Sequence, residues 1–231
     1  MAFGLLVLLQ ALCNLSSSVS AQTWYLNNHQ QFMHTYDWEE IIARAIDNAD
    51  KGQYGITGTI KPNFLDLVQR PFLAKLGKNK PISNPFDIQW AVTYLTPGEP
   101  QQPSYLDFNV RDVLYTRQGG YVIAGQLRFL NPTGGGGPYY GFLLHTDGSG
   151  SPMYDLKIYD QFEILTSVVQ NPQGELFGAV GASYSQIDNI RGQPAILSVQ
   201  YDLSPICYKE IYGDFDGKFL RNVKNFLIDL S

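Results

Sequence analysis

Short apolar runs, separated by glycine, asparagine, aspartate and proline, recur throughout the chain. Three of them share a glycine turn, an aromatic residue, a few small or β-branched residues and a closing glycine; they are residues 51–58 (KGQYGITG), 118–125 (QGGYVIAG) and 174–181 (GELFGAVG). Runs of this length with turn residues at both ends predict β-strands. The pattern therefore predicts one strand that occurs three times.

The segments on either side of these runs also match. An apolar segment precedes each run and a second follows it after a loop of variable length; a turn then leads to an aromatic-rich strand at 88–94, 153–159 and 206–212. Self-similarity of this kind is typical of repeat folds. We predict an all-β fold of three full units, each of about four short antiparallel strands, at residues 38–94, 108–159 and 162–212.

Both ends of the repeat carry partial units. Residues 35–39 (TYDWE) match the segment that ends the second unit, and residues 218–223 (KFLRNV) match an opening strand. One segment fits a second interpretation. Trp38–Ala49 has apolar residues at helical spacing and a possible capping box, so an amphipathic helix is the alternative to a strand there.

The repeat resembles the blades of secreted β-propeller proteins. The resemblance covers residues 35–223 and rests on three pieces, 118–125 (QGGYVIAG), 144–150 (LHTDGSG) and 211–213 (IYG). It implies four-stranded sheets arranged around an axis, and the units supply about four blades at most. A four-bladed ring, an open fragment of a longer product and a ring closed by oligomerisation all fit.

The N-terminus has the pattern of an export signal. An apolar run from Ala2 to Leu12 leads through a serine-rich stretch to Val19 and Ala21, which are small residues at the positions a signal peptidase reads. No Lys or Arg follows Met1, so a buried N-terminal strand or helix is the alternative. We predict a signal peptide at residues 1–21, a repeat domain at residues 22–231, and a secreted or extracytoplasmic location.

The two cysteines depend on that cleavage. Cys13 lies within the predicted signal peptide, which leaves Cys207 without an intramolecular partner in the mature chain. Because Cys207 lies in an apolar strand pattern, we predict a buried thiol, with intermolecular pairing as the alternative.

Composition limits the partners. The formal net charge is −5 and no cluster of Lys or Arg occurs, which argues against a nucleic-acid footprint and against docking to anionic membranes. The partners that remain are a protein or a glycan, with no membrane insertion after signal removal; oligomerisation stays open.

No residues stand out as catalytic, cofactor-binding or metal-binding, and no cofactor is predicted. The histidines are His29, His34 and His145, and none has a second ligand or a base partner at suitable spacing. His145 is predicted to be a solvated, outward-facing residue of a strand. Asp214 and Asp216 are interpreted as turn residues.

These observations favour a secreted, non-catalytic binding or scaffold protein of the propeller type, whose loops contact a protein or glycan. The first alternative is a secreted propeller-fold hydrolase or lyase with a site at the axial channel. The second is a truncated fragment of a longer propeller protein without its own activity. The fold resemblance alone does not decide between them.

Overall fold

The computed structural model describes residues 22–24, 28–31, 40–49, 53–61, 69–77, 88–95, 105–130, 136–183 and 192–211. Every helix or strand in these ranges is a β-strand, which confirms the all-β prediction. The strands are β1 (Gln22–Trp24), β2 (Asn28–Gln31), β3 (Glu40–Ala49), β4 (Gln53–Lys61), β5 (Arg70–Leu76), β6 (Ile88–Leu95), β7 (Tyr105–Tyr115), β8 (Tyr121–Leu130), β9 (Gly136–Thr146), β10 (Leu156–Tyr159), β11 (Phe162–Gln170), β12 (Leu176–Ser183), β13 (Pro194–Gln200) and β14 (Pro205–Glu210).

The strands form three antiparallel sheets whose neighbours follow chain order. Sheet 1 contains β3 to β6, sheet 2 contains β7 to β10, and sheet 3 contains β11 to β14. Each sheet thus has the four strands predicted for one unit. β1 adds to the outer edge of sheet 2 beside β10, and β2 adds to the outer edge of sheet 1 beside β6. The predicted partial units at 35–39 and 218–223 lie outside the described residues, as does the predicted signal peptide.

The segment that fits a helix is a strand. β3 pairs with β4 from Glu40 to Ala49, with a register shift between Ala43 and Ala45. Such a bulge inserts one extra residue, so residues that share a face on either side of it are three positions apart instead of two. The helical interpretation of Trp38–Ala49 is therefore wrong for the described part, because a bulge produces the same local spacing.

Sheet 2 lies between the other two sheets and is buried on both faces. One core joins it to sheet 1 and contains Leu73, Val92 and Tyr94 of sheet 1 with Phe108, Val110, Ile123, Phe142 and Leu144 of sheet 2. The other core joins it to sheet 3 and contains Val122, Ala124, Leu143 and Tyr159 of sheet 2 with Phe162, Leu165, Phe177 and Leu197 of sheet 3. Full burial of one large apolar side chain contributes about 1.5–3 kcal/mol, so these two cores are the main stabilising contacts between the sheets.

The two ends of the sheets differ. Because neighbouring strands are antiparallel, the turns after the first and third strands of each sheet lie at one end. In sheets 2 and 3 these turns are compact, each closed by a backbone hydrogen bond: Gly119 N to Thr116 O, Gly150 N to Asp147 O, Gly174 N to Asn171 O, and Leu203 N to Gln200 O. The second strands end at the other end, and the residues that follow them, 62–68, 131–135 and 184–191, lie outside the described residues.

A tyrosine clamp repeats at the compact-turn end. The hydroxyl of Tyr94, in sheet 1, donates to the carbonyl of Gly150 in sheet 2 at 2.8 Å. In the same way, the hydroxyl of Tyr159 in sheet 2 donates to the carbonyl of Leu203 in sheet 3 at 2.7 Å. Gly150 and Leu203 both have positive φ, 84° and 66°, so the two acceptor turns share their backbone shape. Both sheet interfaces therefore have the same contact.

Removal of either clamp hydroxyl should destabilise the protein. Tyr94→Phe and Tyr159→Phe each leave a buried carbonyl without its donor, and we expect each to lower the free energy of unfolding by about 1–3 kcal/mol. For a chain of this size that is a loss of about 2–4 °C in Tm per kcal/mol, measurable by calorimetry. Tyr54, whose side chain is 42% exposed, supplies the control Tyr54→Phe. Equal effects of all three substitutions would contradict the clamp.

Candidate functional site

The first strand of each sheet, β3, β7 or β11, carries a bulge at the same place. The register shifts fall between Ala43 and Ala45, between Val110 and Asp112, and between Leu165 and Ser167. The residues at the three bulges are Arg44, Arg111 and Thr166. Bulges redirect side chains and are frequent near functional sites, so this repeated position is the candidate site.

The closing glycine of each repeat lies opposite the bulge. Gly58 pairs with Ala43, Gly125 with Val110, and Gly181 with Leu165. A Cβ atom on Gly125 would lie 2.5 Å from the carbonyl oxygen of Asn109. A Cβ atom on Gly181 would clash with the carbonyl oxygen of Ile164. At Gly125 and Gly181 the backbone of the bulged strand therefore occupies the space of a side chain, which explains why the repeat has glycine there.

Gly181→Ala tests this contact. The new methyl group would force β11 and β12 apart, and we expect a loss of about 1–3 kcal/mol in the free energy of unfolding. Gly178→Ala, in the same strand, is the matched control because its Cβ would lie 3.6 Å from Val169 Cγ2, an ordinary contact. Urea unfolding of both variants checks the expectation. A Gly178→Ala variant as unstable as Gly181→Ala would show that the bulge is not the cause.

Aspartate side chains hold the first strands beside one another. Asp47 Oδ2 in β3 accepts from the backbone N–H of Tyr115 in β7 at 2.6 Å. Asp112 Oδ2 in β7 accepts from Val168 N in β11 at 3.0 Å and from Ser167 Oγ at 2.8 Å. Asp112 is only 4% exposed, and a buried carboxylate needs such donors. Each sheet is therefore fixed to the next through the strands that carry the bulges.

Two of the three bulges present a positive charge. The side chains of Arg44 and Arg111 are both exposed. Partial burial lowers the pKa of Arg111, and the nearby charge of Arg44 lowers it further. Within the described part of the chain, the ion pair is that of Arg128 with Asp107, and neither Arg44 nor Arg111 has a carboxylate in contact. The third bulge residue, Thr166, instead donates its hydroxyl to Val180 O at 3.2 Å.

His145 is buried, so its prediction as a solvated residue is wrong. Its side chain is 0% exposed and Nδ1 lies 3.0 Å from the carbonyl oxygen of Tyr201, which assigns the proton to Nδ1. The rings of Tyr201, Phe177 and Tyr154 surround it, with centroids 4.6, 5.3 and 5.5 Å away. His145 lies in the stretch Gly141–Thr146 of β9, which is buried throughout because sheets 1 and 3 cover both faces of sheet 2 there.

Among the described residues, the second ring nitrogen of His145, Nε2, has no hydrogen-bond partner. Burial lowers the pKa of this histidine, and the hydrogen bond to the Tyr201 carbonyl opposes the effect only in part. The folded protein therefore holds His145 neutral at a pH where the unfolded chain would bind a proton. His145 therefore packs inside the fold as a neutral ring, and this lowers the free energy of unfolding at acidic pH.

The effect of pH on stability follows from that lowered pKa. As the pH falls below about 6.5, the unfolded chain takes up a proton that folded His145 refuses, so stability declines until the lowered pKa is reached. We expect the free energy of unfolding to drop more between about pH 7.5 and 5.5 in the wild type than in His145→Gln, which stays neutral. Urea unfolding at both pH values measures the difference. Equal losses in the two proteins would contradict it.

The other residues named in the sequence analysis lie partly inside and partly outside the described residues. His29 lies in β2, whose backbone pairs it with Tyr94, whereas His34, Asp214 and Asp216 lie outside the described residues. The described residues contain no group of three or more His, Cys, Asp or Glu that could hold a metal ion. Arg44 and Arg111 were not singled out from the sequence. Their position relative to the repeat is the feature that could have identified them. Arg44 directly follows Ala43, which pairs with Gly58, and Arg111 directly follows Val110, which pairs with Gly125.

Cys207 is buried, at 2% exposure, but it is disulfide-bonded. The prediction of burial is confirmed and that of an unpaired thiol is wrong. The other cysteine of the sequence, Cys13, belongs to the predicted signal peptide and lies outside the described residues.

Comparison with known proteins gives no relative: no protein-family model, no curated protein and no solved structure matches the chain. In the described ranges, no helix is long and apolar enough to cross a membrane.

Proposed function

We propose that this chain is an exported, non-catalytic binding or scaffold protein of the β-propeller type that its repeat resembles, with a protein or glycan as partner. The observation that carries the proposal is the pair of exposed arginines at matching bulges of neighbouring first strands. A rigid stack of sheets that presents the same edge position twice is suited to hold a ligand, because binding then orders little of the protein.

The propeller assignment is supported by how the sheets follow one another. Each sheet is a four-stranded antiparallel meander, and each packs its face against the next sheet in chain order. The tyrosine clamp and the aspartate links repeat from one interface to the next. Blades of a propeller relate to each other in this way around an axis. In that arrangement β3, β7 and β11 would be the strands that face the axis.

Binding fits the exposed edge better than catalysis does. A hydrolase or lyase needs a group that accepts a proton from the substrate or from water, at hydrogen-bond distance. Arginine binds anions but does not accept protons at physiological pH. His145, which has the chemistry of a base, is buried among aromatic rings between sheets 2 and 3. The axial-channel enzyme therefore remains the second candidate.

Export is supported by the N-terminal pattern and by the position of β1. Gln22, the first residue after the predicted cleavage site, is also the first residue of β1, which pairs with β10. A chain cut after Ala21 would thus begin with a strand that belongs to sheet 2. Cleavage of the peptide bond after Ala21 would not break a disulfide at Cys207, so the mass of the exported chain after reduction decides this part of the proposal.

Secretion of the full chain followed by a binding panel tests the proposal. The protein recovered from the medium is weighed by intact mass spectrometry, which shows whether it starts at Gln22. It is then applied to immobilised neutral, uronic-acid and sulfated oligosaccharides and to a random heptapeptide library. We expect saturable binding to one of these classes, with the ligand recovered unchanged. No binding in the panel, or chemical conversion of the ligand, would overturn the proposed function.

A further inference from the structure

We propose that Arg44 and Arg111 together form a binding site for one compact oxyanion, a carboxylate or a phosphate, carried by the ligand. The inference rests on the proposed role of the first-strand edge as a binding surface and adds the chemical class that this edge recognises. It is argued from the backbone position of the two residues, from their exposure and from the charges around them.

The backbone places the two guanidinium groups on neighbouring strands at equivalent positions. Both arginines are the bulge residues of β3 and β7, opposite Gly58 and Gly125. The hydrogen bond from Tyr115 N to Asp47 Oδ2, at 2.6 Å, joins the same two strands three residues after Arg44. Because this contact and the core between sheets 1 and 2 fix the strands, the arginines are held near each other before any ligand binds.

The charges of the site are unbalanced. Arg44 lies close enough to Arg111 for its charge to add to the effect of partial burial in lowering the pKa of Arg111, and no described carboxylate contacts either arginine. Like charges held together repel, and an anion placed between them turns that repulsion into two attractions. The planar guanidinium fork matches the paired oxygens of a carboxylate or phosphate, so two of them favour an oxyanion over chloride.

The size of the ligand group follows from the rest of the molecule. The third bulge has Thr166, whose hydroxyl is already bonded to Val180 O, so the positive charge does not continue onto sheet 3. The chain as a whole has a formal net charge of −5, which repels an extended polyanion. A single compact oxyanion at sheets 1 and 2 satisfies both conditions.

Two other arginines, Arg128 and Arg117, differ from Arg44 and Arg111 in their surroundings. Arg128 Nε lies 3.0 Å from Asp107 Oδ2, so the carboxylate already balances its charge and no external anion is needed there. Arg117 is exposed, but it lies in the compact turn between β7 and β8, where its backbone N–H donates to Gln170. Arg117→Gln therefore removes one exposed positive charge without touching the bulges and is the matched control.

The test is a titration of the full chain with inorganic phosphate and, separately, with acetate, followed by NMR of the arginine Nε–H groups. Sodium chloride at matched ionic strength gives the baseline. We expect saturable shifts of the Arg44 and Arg111 signals with phosphate or acetate, and the stronger of the two names the oxyanion. Arg44→Gln and Arg111→Gln should each weaken binding about tenfold, as loss of one charge-assisted contact of about 1.4 kcal/mol would.

Two further variants separate recognition from folding. Arg117→Gln should bind as the wild type does, and Arg44→Lys should bind with intermediate affinity, because it keeps the charge but loses the fork. A Tm equal to that of the wild type confirms that each variant is folded. Shifts that match those in sodium chloride, or equal affinity in Arg44→Gln, Arg111→Gln and the wild type, would overturn the inference.

The two proposals fail in different ways. If the binding panel selects a ligand that Arg44→Gln and Arg111→Gln still bind with full affinity, the binding function stands and the oxyanion site falls. If phosphate or acetate binds at the arginines while the whole panel is negative, the oxyanion site stands and the proposed partner classes fall.

Discussion

The burial of sheet 2 on both faces is the constraint on which the rest of the structure depends. A sheet covered on one side alternates apolar and polar residues, but the run Gly141–Thr146 in β9 is buried throughout. Close packing of this kind leaves no room for side chains at some positions. A Cβ atom on Gly141 would lie 2.8 Å from Phe162 Cβ of sheet 3, and one on Gly55 would collide with the ring of Tyr121 of sheet 2. Glycines of the repeat are thus set by the neighbouring sheet as well as by turns.

The bulge connects this packing to the proposed site. Where the first strand gains a residue, its backbone presses on the closing glycine of the second strand, and the register of the apolar face shifts by one. The strand can then bury apolar residues on both sides of the bulge while the extra residue is directed elsewhere. In sheets 1 and 2 that extra residue is an exposed arginine. The glycine that makes the repeat visible in the sequence and the charge that makes the edge a binding candidate therefore have one structural cause.

Local features were predictable and contacts between sheets were not. Glycine turns and alternating strands depend on residues that are neighbours in the sequence, so the three four-stranded units can be predicted from the sequence alone. The bulge at Arg44 made the strand β3 resemble a helix in its hydrophobic pattern, because one inserted residue gives the apolar residues helical spacing. The prediction for His145 was wrong because the alternation rule assumes a solvated face, which β9 lacks from Gly141 to Thr146. The arginine pair joins residues of two different units, and only the packing of β3 beside β7 brings them together.

The distribution of charge is also a consequence of how the sheets are joined. The aspartates of β3 and β7 with described side chains all accept hydrogen bonds from inside the fold: Asp47 from Tyr115 N, Asp107 from Gln69 N and Arg128 Nε, and Asp112 from Val168 N and Ser167 Oγ. A carboxylate that already accepts such bonds would lose them if it turned towards an exposed arginine, and a buried donor would be left unpaired. The negative charges of these strands are therefore committed to the interfaces between sheets. An acidic protein can in this way keep Arg44 and Arg111 at one edge without a counter-ion among the described residues, and an anion from outside would then balance their charge.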